Sequence, residues 1–198
     1  MDKKQEYFDS LADDWDKDLT AEDMERLDHI LDKINISQGV NVCDLGCGTG
    51  VMFDMLRRRV GQKGYIVGVD FAPQVAHRAH KNFPFHNVGV VEGDAAALPF
   101  GPGAFDLVIS FAAFAHFSQK DQSIHEANRI LKTGGRLIII HLLGSAQLAE
   151  YHHHVGGPVD HDHVPDKSHL EEMLKRGHFS RTELTDTKDL YLAVGFKE

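Results

Sequence analysis

Two kinds of apolar run alternate along this chain. The first kind repeats every three to four residues. Tyr7, Phe8, Leu11, Ala12 and Trp15 fall at helical spacing within 1–20, and Met24, Leu27, Ile30, Leu31 and Ile34 share one face of 21–34, with Thr20 as the N-cap. Further helices are predicted over Val51–Val60, Pro73–Phe83, Ile124–Leu131 and Lys167–Arg176. The second kind is short and continuous: Val40–Leu45, Tyr65–Asp70, Val88–Gly93, Ala104–Ser110 and Leu137–His141. Such runs suit strands buried on both faces of a parallel sheet. Two last strands, near Thr182–Thr187 and Leu190–Phe196, are joined by a tight Lys188-Asp189 turn and predict an antiparallel hairpin. The order is that of a single α/β domain over 1–198.

The first strand runs into Asp44-Leu45-Gly46-Cys47-Gly48-Thr49-Gly50. Three glycines let the backbone turn sharply and approach a ligand closely. Asp44 stands at the carboxyl end of its strand, where open α/β sheets bind ligands. A dinucleotide fold would show G-x-G-x-x-G; here the spacing is G-x-G-x-G, with an acid two residues ahead. The second strand ends in Asp70, twenty residues past Gly50, where a carboxylate can accept two hydrogen bonds from a ribose diol. At a strand end Asp70 is expected to be exposed, so that its loss would weaken a ligand and spare the fold. Phe71 beside it is placed to lie along an adenine.

The glycine turn, together with Gly93-Asp94-Ala95-Ala96-Ala97-Leu98-Pro99-Phe100 and Ala104-Phe105-Asp106-Leu107-Val108-Ile109-Ser110, resembles class I S-adenosylmethionine-dependent methyltransferases. The overall pattern is similar to small-molecule members of the quinone-ring and menaquinone type, and it covers nearly the whole chain apart from 145–165. The resemblance implies a Rossmann-like, seven-stranded, mainly parallel sheet with helices on both faces and a C-terminal antiparallel hairpin. It implies that Asp44 faces the amino-acid end of the cofactor and that Gly46, Cys47, Gly48 and Gly50 run under its ribose and methionine. Asp94 would take the adenine amino group and the Ala95 amide a ring nitrogen. Phe8 to Asp16 would form a lid, so that 1–34 holds N-terminal helices covering the cofactor. Methyl donor and acceptor would meet near Ser110–Phe117, with Phe111 and Phe114 walling a dry pocket and His116 as the nearest base. That segment lacks the Asn/Asp-Pro-Pro-Tyr/Phe signature of amino-group and nucleic-acid-base methyltransferases.

Composition adds limits. A formal charge of -9 argues against a nucleic-acid partner held by general phosphate attraction. No apolar run approaches a membrane span, and Met-Asp-Lys-Lys-Gln-Glu lacks a signal-peptide core. Cys43 and Cys47 flank the turn too closely for a structural disulfide, so the reducing cytoplasm is the expected compartment.

One stretch fits none of this. Residues 151–165 carry His152, His153, His154, His161 and His163 with Asp160 and Asp162. Imidazole and carboxylate suit a divalent transition metal such as Zn, Ni, Fe or Cu, yet the spacing matches no closed zinc motif. The stretch reads as a loop insertion over 145–165 that serves the acceptor, with His152 or His161 assisting His116, or that holds a metal through His153, His154, His161 and His163, or that is solvated surface. Methyl transfer from S-adenosylmethionine to a small molecule is therefore the leading expectation. An NAD(P)-dependent oxidoreductase, a cofactor-binding module without an acceptor pocket, and a metal-handling protein are the alternatives.

Overall fold

The structure is a computed structural model that describes residues 3–12 and 19–198. Strands β1 (Asn41–Leu45), β2 (Tyr65–Asp70), β3 (Val88–Glu92), β4 (Phe105–Phe111) and β5 (Leu131–His141) pair in parallel. Strands β6 (Arg181–Thr187) and β7 (Leu190–Phe196) form an antiparallel hairpin, and β7 also pairs antiparallel with β5. The seven strands follow the order β3-β2-β1-β4-β5-β7-β6. The order in which strands are added reverses between β1 and β4, which opens a crevice at the carboxyl ends of those parallel strands.

The pleat divides the apolar strand residues between two cores. Leu137 and Ile139 of β5 join one core, while Ile138 and Ile140 join the other. The first core is covered by α5 (Lys120–Ile130), through Ile124, Ala127 and Ile130, and by α7 (Lys167–Arg176), through Leu170, Met173 and Leu174. The second is covered by α2 (Ala21–Ile34), α3 (Phe53–Val60) and the inner face of α4 (Pro73–Asn82). Leu27 and Leu31 of α2 are fully buried, and truncating either to Ala would cost about 2–5 kcal/mol. Thr20 does cap α2: its hydroxyl accepts from the Asp23 amide, and Asp23 accepts in return from the Thr20 amide.

The remaining helices are α1 (Lys3–Ser10), over the carboxyl edge of the sheet, and α6 (Ser145–Val155), after β5. Asp13, Asp14, Trp15 and Asp16 of the expected lid lie outside the described residues. Two expectations need correction. The fifth strand, expected over Leu137–His141, starts instead at Leu131, so the Gly134-Gly135 pair lies inside β5, where Gly134 takes φ +80° and the pairing with β4 shifts between Phe105 and Leu107. Nor is 145–165 a loop. Ser145–Val155 is helical, and a 3₁₀ turn follows at Gly157–Val159. The cap of α6 comes from β6: Asp186 accepts from the Ser145 amide at 2.9 Å and from its hydroxyl at 2.6 Å. His152, His153 and His154 occupy the last turn, where the helix dipole favours a cation.

Candidate functional site

The glycine turn after β1 is shaped by contacts that exclude side chains. Gly46 adopts φ +71°, and a Cβ there would lie 2.3 Å from the Cβ of Ala113. Ala112, at the end of β4, itself takes φ +53°, a strained value for alanine. Its amide donates to the Ile140 carbonyl at 2.9 Å. These two chain segments pack against each other at the reversal point, and two cavities open on either side of the seam.

The first cavity, of about 330 Å³, lies over β2 and β3. Asp70, Phe71, Asp94 and Ala95 line it, and α1 roofs it with Gln5 and Phe8. The Gln5 amide donates to the Phe71 carbonyl at 3.0 Å, and the Phe8 ring stands edge-on to Phe71 and to His116. The second cavity, of about 630 Å³, lies over β1, β4 and β5. Asp44, Cys47, His141, Tyr151 and His152 are among its walls. Both cavities share Gly46, Gly48, Phe111, Ala112 and His116. Of the anticipated residues, Gly50 lines neither, turning the chain at φ +94° against the Phe83 ring. Phe114 lines neither as well; it is core.

The acids differ in their state. Asp44 is 1% exposed, faces the second cavity, and neither of its oxygens meets a hydrogen-bond partner among the described residues. Burial, then the neighbouring Asp70 charge, pushes its carboxyl well above the ordinary value. A buried acceptor in that condition fits a cationic group delivered by a ligand. Asp70 departs from expectation: it is 8% exposed, not open to solvent. One oxygen accepts from the Gly48 amide at 2.9 Å and the other from the Ala72 amide at 3.0 Å, so it also braces the turn. Burial raises its carboxyl in spite of these bonds. Each oxygen keeps a second lone pair for a diol. Asp94 is exposed; one oxygen accepts from the Ala96 amide at 2.8 Å, which holds the loop around Ala95.

The histidines separate into two groups. His116 and His152 are drawn together, with ring centroids 4.8 Å apart. His161 is not with them: its side chain is 94% exposed against 11% for His116. His153 reaches Asp160, His154 bonds the Glu150 carbonyl of its own helix, and His163 bonds the His161 carbonyl. Helical spacing and local bonds fan these side chains apart. Among the described residues no group of three His, Cys, Asp or Glu side chains is arranged to hold a metal, so the expected set of His153, His154, His161 and His163 does not assemble.

Three residues of the site were not anticipated. Asp162 lies with Oδ2 2.7 Å from His116 Nδ1, and its Oδ1 meets Lys4 Nζ of α1. His141 is buried in the wall of the second cavity with no partner for Nε2 among the described residues, and burial, then the nearby His116, His152 and Lys120, pushes its pKa down to about 3. Lys120 ties the 3₁₀ turn that carries His116 by donating to the Ala115 and Phe117 carbonyls at 2.7 and 2.9 Å. A strand-end histidine and an aspartate between two histidines carry no local signal of these contacts. Cys43 and Cys47 are free and buried, and no helix among the described residues is long and apolar enough to cross a membrane.

Residues 43–139 match a family described as a methyltransferase domain. A 2-phytyl-1,4-naphtoquinone methyltransferase of Thermosynechococcus vestitus is 34% identical over 113 residues, 56% of this chain and 49% of that protein. The ubiquinone/menaquinone biosynthesis C-methyltransferase UbiE of Hahella chejuensis is 31% identical over 141 residues, 67% of this chain and 57% of its own length. This chain therefore spans about half the length of such relatives. A SAM-dependent methyltransferase from Aquifex aeolicus has the same fold, with a TM-score of 0.73 at 19% identity over 98% of both chains. Neither the dinucleotide-dependent nor the metal-handling alternative gains support from these similarities.

Proposed function

The chain belongs to the class I S-adenosylmethionine-dependent methyltransferases, and on that premise we propose that it transfers the donor's methyl group to a small, largely apolar molecule in the cytoplasm. The observation that carries this reading is the seam: two cavities, one suited to a nucleoside and one larger and mostly apolar, meet at Gly46, Gly48, Phe111, Ala112 and His116. Asp44 would receive the donor's ammonium, the one partner its buried oxygens lack. Asp70 would take the ribose hydroxyls, Phe71 would lie along the adenine, and Asp94 with the Ala95 amide would read the adenine edge. Gly46, Cys47 and Gly48 would let the donor's backbone-hugging middle pass. S-adenosylmethionine supplies an already activated sulfonium methyl, so the protein chiefly aligns the partners and excludes water.

The acceptor would sit in the second cavity. Relatives named for naphthoquinone and menaquinone substrates favour a quinone-type ring, and the cavity's Leu19, Val51, Met52, Leu142 and Leu148 suit one. His116 and His152 would face its polar edge. The test is calorimetric titration with S-adenosylmethionine, S-adenosylhomocysteine and NAD, followed by methyl uptake into reduced naphthoquinones. We expect saturable binding of the first two compounds and none of NAD. Binding of NAD alone would overturn the reading.

A further inference from the structure

We propose that Asp162 positions His116 as the proton acceptor of the reaction, and that the molecule methylated is an apolar ring bearing a hydroxyl whose proton His116 removes. This rests on the methyl-transfer reading above and specifies its acceptor.

The geometry fixes the tautomer. A carboxylate can only accept, so the 2.7 Å contact between Asp162 Oδ2 and His116 Nδ1 places the imidazole proton on Nδ1. Nε2 is left with its lone pair, takes no hydrogen bond from the described residues, and belongs to a ring that lines both cavities at their seam. His152 repeats the arrangement: its Nδ1 lies 2.7 Å from the Asp162 carbonyl oxygen, so that proton too sits on Nδ1. One residue, Asp162, thus sets two imidazoles with unprotonated nitrogens beside the acceptor cavity, using its side chain for one and its backbone for the other.

The groups facing His116 come from every neighbouring element: Asp162, Lys4 of α1, His152 of α6, and His141 of β5. Lys120 of α5 lies close enough to Asp162 and His141 for their charges to interact. Burial lowers the His116 pKa; the Asp162 hydrogen bond draws it part of the way back, and His152 and Lys4 push it down. Burial opposes a charge on Asp162, but hydrogen bonds from His116 and Lys4 outweigh it and hold the carboxyl below its ordinary value. His116 is therefore a neutral base near neutrality, held by an ionised carboxylate.

An acceptor that is already anionic, such as a thiolate, needs no base and would leave His116 Nε2 without a use, while the cavity's leucines suit an apolar ring. A ring hydroxyl uses both features. In the step, the acceptor O–H bond breaks and its proton goes to His116 Nε2. The freed electron pair, on oxygen or delocalised to a ring carbon, bonds the methyl carbon. The donor's C–S bond breaks with its pair kept by sulfur. If a ring carbon is the nucleophile, its own proton leaves afterwards and the hydroxyl is restored.

The test follows the His116 imidazole by ¹⁵N spectroscopy in the full chain, with His116→Gln for assignment. We expect the Nδ1–H tautomer in the parent. Active His116 is unprotonated, so turnover rises with pH through its midpoint. Removing the anion in Asp162→Asn should lower that midpoint; removing the cation in Lys4→Met should raise it. Methyl uptake is measured on a panel of reduced naphthoquinones, phenols and aryl thiols. On the hydroxylated rings, Asp162→Asn should lose about tenfold or more in kcat, with the rising limb displaced along with the imidazole midpoint, and His116→Gln about 10²-fold or more. Asp162 lines neither cavity, so donor affinity should be unchanged in Asp162→Asn. A midpoint unmoved in both charge variants, an Nε2–H tautomer, or a parent protein that methylates only the thiols would overturn the proposal. Failure of the parent to bind the donor would instead strike the methyl-transfer reading itself.

Discussion

Asp44 is kept ionisable in a place that disfavours its charge, and the chain gains nothing from it until a ligand arrives. Its carboxyl pKa is raised by burial and by Asp70. Between the unfolded value of about 3.9 and the raised native one, the folded protein holds a proton that the unfolded chain has released. Stability of the donor-free protein therefore falls as pH rises through that window. Asp44→Asn should remove this slope and raise the neutral-pH melting temperature, by about 2–4 °C for each kcal/mol recovered. The same change should weaken donor binding by about 1.5–3 kcal/mol, or roughly ten- to a hundredfold. Scanning calorimetry across pH and donor titration check both halves; full donor affinity in the variant would remove Asp44 from the site. At this scale Asp44, Asp70 and Asp94, which line the two cavities, were legible because each sits at fixed spacing from a glycine or a strand end. Asp162 was not, because it stands 46 residues from the histidine it orients and only folding brings them together.

The helix α6 shows why an element can be missed when its residues are all in view. Its first turn has no side-chain cap of its own, and the cap it uses, Asp186, comes from a strand 41 residues on. Polar histidines in the last turn then read as loop. Once the helix exists, its geometry sorts the imidazoles: His152 turns inward and is buried, while His153 and His154 point to solvent. The fourfold His153→Gln, His154→Gln, His161→Gln, His163→Gln variant should retain turnover within about twofold, as surface changes do. His152→Gln should spare donor binding and lower turnover. Chelator treatment of the parent should leave activity unchanged; a metal-dependent loss there would return the outer histidines to the site.

At the scale of the whole molecule, the strand runs were readable because β1, β2, β4 and the second half of β5 are largely buried, and burial leaves a continuous apolar record. The hairpin of β6 and β7 was readable from its turn. How its far end reaches back was not: Arg26 of α2 donates to the Asp189 carbonyl at 2.6 Å, closing the second cavity from the opposite end of the chain. The side chains proposed for the donor come mainly from β1 to Ala95; those proposed for the acceptor include His116, Leu142, Leu148 and His152 from β4 onward and Leu19, Val51 and Met52 from upstream. The exposed Gly101-Pro102-Gly103 turn lies between. Across it, Glu126 of α5 accepts from the Leu98 amide at 2.8 Å, and Arg129 donates to the Leu98 and Phe100 carbonyls at 3.0 and 2.6 Å. That clasp makes the protein modular for evolution and for the engineer. A chimera joined at 101–103 with the downstream half of a relative should inherit this chain's donor affinity and the other parent's acceptor preference, provided the incoming helix keeps an acid and an arginine at those two positions. Joined without them, the adenine loop loses its moorings, and donor affinity, measured calorimetrically, should fall along with the transplanted specificity.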